Sequence, residues 1–312
     1  MKEKLAPVKQ IETKAGMTVD ALVHAMRESG VMGAGRLGRA ADVLEQMIRD
    51  KECTKFFGLA GPMVPGGNKK IIIDFLERGW TDVFVTTGAT LTHDLFEALG
   101  YSHLQGTAYV SDEELNKKGI DRVYESYLPN EAYQGLEKFI DKNFAELAEQ
   151  KTIKDFLWKL GEKTPSEKPS ILRTCWNKKI PVFCPALADS GIGLMVWGQL
   201  GQGKKCETRA FDDLKEIMQI AWSAKRAGVL YVGGGVPKNY VQQAMQLAPK
   251  AAEYGVQITT DRPEPGGSSG AELREGISWG KLAPCAKFVD VICDATIALP
   301  ILSAALKERL KQ

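Results

Sequence analysis

Gly228-Val229-Leu230-Tyr231-Val232-Gly233-Gly234-Gly235-Val236-Pro237-Lys238 is the stretch that decides the fold. An apolar strand runs into three glycines, and Pro237, preset for the first turn of a helix, follows at once. Glycines let a pyrophosphate approach the backbone, and a helix N-terminus favours anionic charge, so strand, turn and helix together suit a dinucleotide. The same glycines read equally as a packing turn, because the GxGxxG spacing is absent.

On either side of this stretch the alternation repeats. Upstream lie an apolar run at 55–60 closing in Gly61-Pro62, a helix over 69–78, a strand at 82–86, a helix near 94–99, a strand at 180–184 and a helix over 212–227. Downstream come a strand at 256–260, a Gly/Pro/Ser-rich loop at 263–270, a strand near 288–293 and a helix over 298–310. Strands alternating with helices predict parallel βαβ units with right-handed crossovers. The expected fold is therefore α/β, a doubly wound, mostly parallel Rossmann-like sheet. Residues 101–164 carry longer helical patterns, at 131–150 and 153–160, and read as a helical insertion. Residues 1–17 read as an extended arm. Within 18–50 the helical periodicity is broken between Gly30 and Gly38, giving two helices that cap a single domain over 18–312.

Composition excludes several classes of function. At 312 residues, with 41 basic and 39 acidic side chains and a net charge of +2, the chain has no general attraction to nucleic acid or membrane surfaces. Cys53, Cys175, Cys184, Cys206, Cys285 and Cys293 form no CxxC pair, which fits reduced thiols and neither a disulfide framework nor a metal site. No apolar run approaches a membrane span, and the chain opens on charged residues, so a cytoplasmic protein is expected.

Chemistry concentrates in Glu275-Gly276-Ile277-Ser278-Trp279-Gly280-Lys281. Lys281 reads either as a solvated lysine before a strand or as an amine nucleophile. The second role requires a dry or cationic neighbourhood that favours the neutral amine. Trp279 offers an apolar wall and a ring face for a substrate ammonium. His93, in Leu91-Thr92-His93-Asp94, reads either as a group at a helix start or as a proton-transfer residue that titrates near neutrality. Asp189 and Asp294 each follow or end an apolar strand, where carboxylates of open α/β sheets accept hydrogen bonds from ribose hydroxyls.

The 275–281 stretch resembles the active-site signature of the deoxyhypusine synthase family. Four further blocks recur in that family's order: Val85-Thr86-Thr87-Gly88, Pro185-Ala186-Leu187-Ala188-Asp189, Gly233-Gly234-Gly235-Val236-Pro237-Lys238 and Asp294-Ala295. The resemblance covers roughly residues 50–310. It implies an NAD-dependent aminoalkyl transferase in which Lys281 forms an imine with a butylamine fragment cut from spermidine, the final acceptor being a lysine of a translation factor. It further implies NAD contacts at Thr87, Gly88, Asp189, Gly234, Gly235, Thr260, Asp294 and Ala295, and a homotetramer with active sites shared across a dimer interface.

Departures from the family pattern fall on the substrate side. Asn239 stands where eukaryotic members carry a histidine, Gln243 where they carry asparagine, and His93 where they carry glutamate. Leu194 and Ser268 replace two aspartates that hold spermidine nitrogens, while Glu275 is kept. An unpaired buried ammonium is costly, so the polyamine specificity is expected to be altered. A homospermidine synthase-like enzyme acting on putrescine or agmatine is one alternative reading. A non-catalytic NAD-binding paralogue is another, and retention of Lys281 argues against it.

Overall fold

The structure, a computed structural model, describes residues 5–311. Its main sheet contains β1 (Cys53–Leu59), β2 (Val83–Thr86), β3 (Val182–Phe183), β4 (Arg226–Val232), β5 (Ala252–Thr259) and β6 (Leu282–Ile292). These six strands pair in the order β3-β2-β1-β4-β5-β6, and every pairing is parallel. That is the doubly wound order whose direction of winding reverses between β1 and β4.

Side-chain alternation along the strands explains why both faces are covered. Phe56, Val83, Val85, Phe183, Val229 and Tyr231 point to one face, where helices Ala210–Ser223 and Gly235–Leu247 bury them. Their chain neighbours Phe57, Phe84, Val182, Leu230 and Val232 point to the other, against Met32–Arg49, Lys69–Glu77, Gly88–Ala98, Ile171–Lys178 and Ala295–Leu310. Phe57 and Phe84 sit opposite each other in the register and meet edge to face at 5.5 Å. Each such aromatic or branched side chain contributes about 1.5–3 kcal/mol by leaving water. A strand slipped by one residue would turn both sets the wrong way.

Three expectations need correcting. The break in the N-terminal helices falls only at Gly30 and Val31, between Val19–Ser29 and Met32–Arg49; the later glycines lie inside the second helix. They serve the crossing of the two helices, since a Cβ on Gly38 would lie 2.5 Å from the Cα of Arg27, and one on Gly35 2.6 Å from the carbonyl carbon of Gly30. The insertion is not purely helical. Before Glu131–Ala148 and Ile153–Lys163 it builds an antiparallel sheet from Leu104–Gln105, Ile120–Val123 and Ser126–Pro129. Those strands are short and largely solvated, so they carry little apolar alternation. The helix expected near 94–99 begins at Gly88, with Thr87 as its N-cap, which puts His93 in its second turn and away from its start.

Candidate active site

A cleft of about 360 Å³ opens along the outer side of helix Gly235–Leu247, opposite the segment that joins β5 to β6. Six residues singled out from the sequence line it: Lys281, Trp279, Glu275, Asn239, Gln243 and Ser268. Lys281 immediately precedes β6, and its backbone N–H donates to Gly276 at 2.8 Å across a turn in which Gly280 has φ +70°. Its Nζ lies 4.8 Å from the centre of the Trp279 ring, over an indole that is 54% exposed. The lysine thus faces an aromatic wall and an open cleft.

The wall opposite the helix is held by buried polar groups. Lys238 is only 5% exposed, and its Nζ donates to the carbonyl oxygens of Ser268 at 2.7 Å and Ala271 at 2.6 Å. Gln257 adds a bond from Nε2 to Ala271 O at 3.2 Å, and the buried Asp290 accepts from the Leu273 N–H at 3.1 Å. Burial pulls the Lys238 ammonium down to about 8, the Asp290 and Glu275 carboxylates oppose the shift, and the Lys281 charge adds to it. The same burial raises the Asp290 carboxyl. Two lysines therefore share one cleft with Glu275 and Glu272.

The positions expected to hold NAD fall at the carboxyl ends of the strands. Thr87 and Gly88 follow β2, Asp189 follows β3, Gly234 and Gly235 follow β4, Thr260 follows β5, and Asp294 and Ala295 follow β6. Three observations fit a dinucleotide there. Helix Gly235–Leu247 has no side-chain cap on its first N–H groups, and Gly235, at φ +57°, faces open space. Asp189 is exposed, so its carboxylate is free of burial. Gly88 lies so close to the next loop that a Cβ would meet Ser190 Cβ at 2.5 Å, bringing two binding loops together. Thr87 and Asp294 also have structural tasks: Thr87 Oγ1 accepts from Thr90 N at 3.2 Å, and Asp294 Oδ1 accepts from Thr296 N at 2.7 Å.

His93 and Leu194 lie on the other half of the sheet, on the helices after β2 and β3, and neither lines the cleft. Leu194 is 56% exposed. The half-buried His93 is bonded through Nδ1 to His103 Nε2 at 2.8 Å, and His103 Nδ1 is 2.8 Å from Glu97 Oε1. Burial, reinforced by His103, lowers His93 to about 4.

Sequence reasoning overlooked Glu272, Gln242 and Gln246 in the cleft, and the pinning role of Lys238. Glu272 carried a signal, since it lies three residues before Glu275 and the intervening turn puts both on one side. Among the described residues, no cluster of three or more His, Cys, Asp or Glu side chains is arranged for a metal, and no helix is long and apolar enough to cross a membrane.

Comparison with known proteins gives the family of the chain. The family model for deoxyhypusine synthase matches residues 21–306. The chain is 44% identical over 307 residues to the probable deoxyhypusine synthase 1 of Methanosarcina acetivorans, covering 98% of this chain and 96% of that protein. It is 41% identical over 298 residues to the probable deoxyhypusine synthase 1 of Archaeoglobus fulgidus, covering 96% and 97%. Among solved structures, a candidate deoxyhypusine synthase of Entamoeba histolytica superposes with a TM-score of 0.61 at 19% identity over 93% of both chains, a likeness of fold. AgrE, solved as a ternary complex with ornithine and NAD+, shares the fold at a TM-score of 0.54 and 13% identity, over 88% of this chain and 34% of its own.

Proposed function

The chain belongs to the deoxyhypusine synthase family, and from that premise we propose that it is an NAD-dependent aminoalkyl transferase that moves an alkylamine from a donor amine, through Lys281, to an acceptor amine. The observation that carries this reading is the placement of Lys281 Nζ over the Trp279 ring in a cleft that also holds Glu275 and Glu272. A neutral amine there attacks the carbon of an imine, forming a bond from Nζ as the donor's C–N bond breaks, and the incoming acceptor amine reverses the exchange. Carboxylates in the cleft hold the remaining ammonium of the donor, and the indole excludes water from one side. Gly234, Gly235, Asp189, Thr260 and Asp294 are the residues that would hold NAD, which would supply the hydride acceptor and donor for amine oxidation and its reversal.

His93 lies outside the Lys281 cleft of its own chain, which supports sites shared between copies, the His93 half of one completing the cleft of another; the family resemblance implies a homotetramer in the cytoplasm. For the family, the acceptor is a lysine of a translation factor. A second reading, in which donor and acceptor are both small diamines, is favoured by Ser268 lining the cleft where the family pattern has a carboxylate.

Trapping tests the covalent step. Borohydride added during turnover with NAD and a diamine donor should leave an alkylamine on Lys281, located by peptide mass spectrometry. Lys281→Ala should fold and bind NAD but transfer nothing. An unmodified Lys281 together with an active alanine variant would overturn the mechanism.

A further inference from the structure

Outside the cleft, His93, His103 and Glu97 form a chain of hydrogen-bonded titratable groups in the half-buried interior. Its far end has a defined charge. Burial works against ionisation of Glu97, but the bond from His103 and the Lys69 ammonium, 3.5 Å from Oε2, outweigh it and hold the carboxyl below its usual range. An ionised carboxylate only accepts, so His103 must place its proton on Nδ1 to reach Glu97 Oε1. In neutral His103, Nε2 then carries the lone pair and can only accept. The 2.8 Å contact therefore requires His93 to donate from Nδ1, which leaves the lone pair of His93 on Nε2. Among the described residues no hydrogen bond occupies that nitrogen.

We propose that His103 and Glu97 are positioning residues that fix His93 in its Nδ1–H form, so that Nε2 is a bare proton acceptor for the donor amine. This rests on the reading that the chain oxidises an amine in a cleft completed by the His93 half of a neighbouring copy. In the proton step an N–H bond of the donor nitrogen breaks as its carbon is oxidised, and an Nε2–H bond forms. The positive charge that appears on His93 is met, through His103, by the Glu97 carboxylate. An aspartate that orients a catalytic histidine works by the same logic, acting through tautomer and charge without touching substrate.

The surroundings support this assignment. The charged groups that act on His93 are His103 and Glu97, with Lys69 paired to Glu97 and to Asp94 behind them. Asp94 is buried and fully engaged, accepting from Ser170 Oγ at 2.8 Å and from the N–H groups of Ile171 and Leu172 at 2.9 and 3.1 Å. Lys69 lies 3.0 Å from Asp94 Oδ1, and no acid other than Glu97 bonds to the histidine pair. On the ring side, Phe96 packs edge-on to His93 at 5.7 Å, with Tyr133 beyond it at 4.8 Å, so an apolar wall holds the imidazole plane.

Only three histidines occur in the chain, so selective 15N-histidine labelling resolves each ring. Without substrate, long-range 1H–15N spectra near pH 7.5 should show His93 protonated on Nδ1 and bare on Nε2. His103→Leu should shift the His93 proton towards Nε2 and lower kcat by roughly 10²-fold or more, as loss of general-base catalysis does, with little change in KM. His103→Gln, whose amide oxygen can accept the same N–H, should restore the tautomer and much of the rate. A wild-type His93 carrying its proton on Nε2 would overturn the proposal even if the leucine variant fails to fold, and so would an unchanged tautomer and rate in that variant. The Nδ1–H form in a protein that transfers no alkylamine would support the relay and sink the amine-oxidation reading instead.

Discussion

Lys238 Nζ donates to the Ala271 carbonyl oxygen at 2.6 Å, a bond that ties the first turn of the helix after the triple glycine to the segment carrying Glu272, Glu275 and Lys281. The turn proposed to hold the cofactor and the segment proposed to carry the nucleophile are tied by this buried ammonium. Its burial draws its pKa down to about 8, so the tie weakens as it begins to lose its proton above neutrality.

Replacing Lys238 with methionine keeps most of the volume but leaves the Ser268 carbonyl without this donor, and Ala271 with only the longer bond from Gln257. Loss of a hydrogen bond from a charged donor costs about 1.5–3 kcal/mol. Lys238→Met should therefore lower stability in urea by an amount in that range and speed proteolysis within residues 263–270. Unchanged cleavage of the loop would show that Lys238 does not hold it.

Asp189 and Asp294 should respond differently to alanine. Asp189 is exposed, so Asp189→Ala is expected to weaken NAD binding about ten- to a hundredfold, as the loss of a charged hydrogen bond does, with no change in melting temperature. Asp294 also caps helix Ala295–Leu310, so its alanine variant should lose stability as well, by about 1 kcal/mol. Calorimetry and thermal melts on the pair separate the two roles. Absence of NAD binding to the native protein would remove the dinucleotide assignment.

Much of this was legible because strand, turn and helix carry different periodicities. The run 228–232 with its glycines located β4 and the helix behind it, and the 275–281 signature located the cleft. What stayed hidden depended on three-dimensional placement. Gly35 and Gly38 look like helix breakers in one dimension, yet they let two helices cross at close range. Lys238 looks like a surface residue after Pro237 until the loop folds over it. The pairing of His93 with His103 spans a helix and a loop, a spacing no helical rule anticipates, and Leu194 lies with His93 on the other half of the sheet from the Lys281 cleft.

His93 gives a pH signature of its own. Burial lowers it from an ordinary 6.5 to about 4, so between those values the unfolded chain binds a proton at this ring and the folded chain does not. Stability contributed by the neutral ring is complete above about 6.5 and is lost as the pH falls towards 4, by an amount on the order of 3 kcal/mol. His93→Gln should show a shallower loss of stability over that window than the native chain, with the two curves parallel above it. Parallel curves throughout would mean that His93 titrates normally in the folded state.

The donor amine is constrained by the charges that line the cleft. Glu272 and Glu275 supply two carboxylates, Ser268 supplies none, and Leu194 stands elsewhere. A diamine such as putrescine, or agmatine, has two cationic centres to match them, whereas the third nitrogen of spermidine would give up its hydration without an anion in return. Spermidine should therefore be a poorer donor than putrescine or agmatine for the purified enzyme with NAD. Glu272→Gln should raise KM for the diamine by about tenfold or more, the effect of losing one charged partner, while a reaction that makes no use of Glu272 would leave KM unmoved. If spermidine is instead cleaved far more efficiently than either smaller amine, its third nitrogen must find a carboxylate from a neighbouring copy, and the donor specificity is that of the polyamine enzymes.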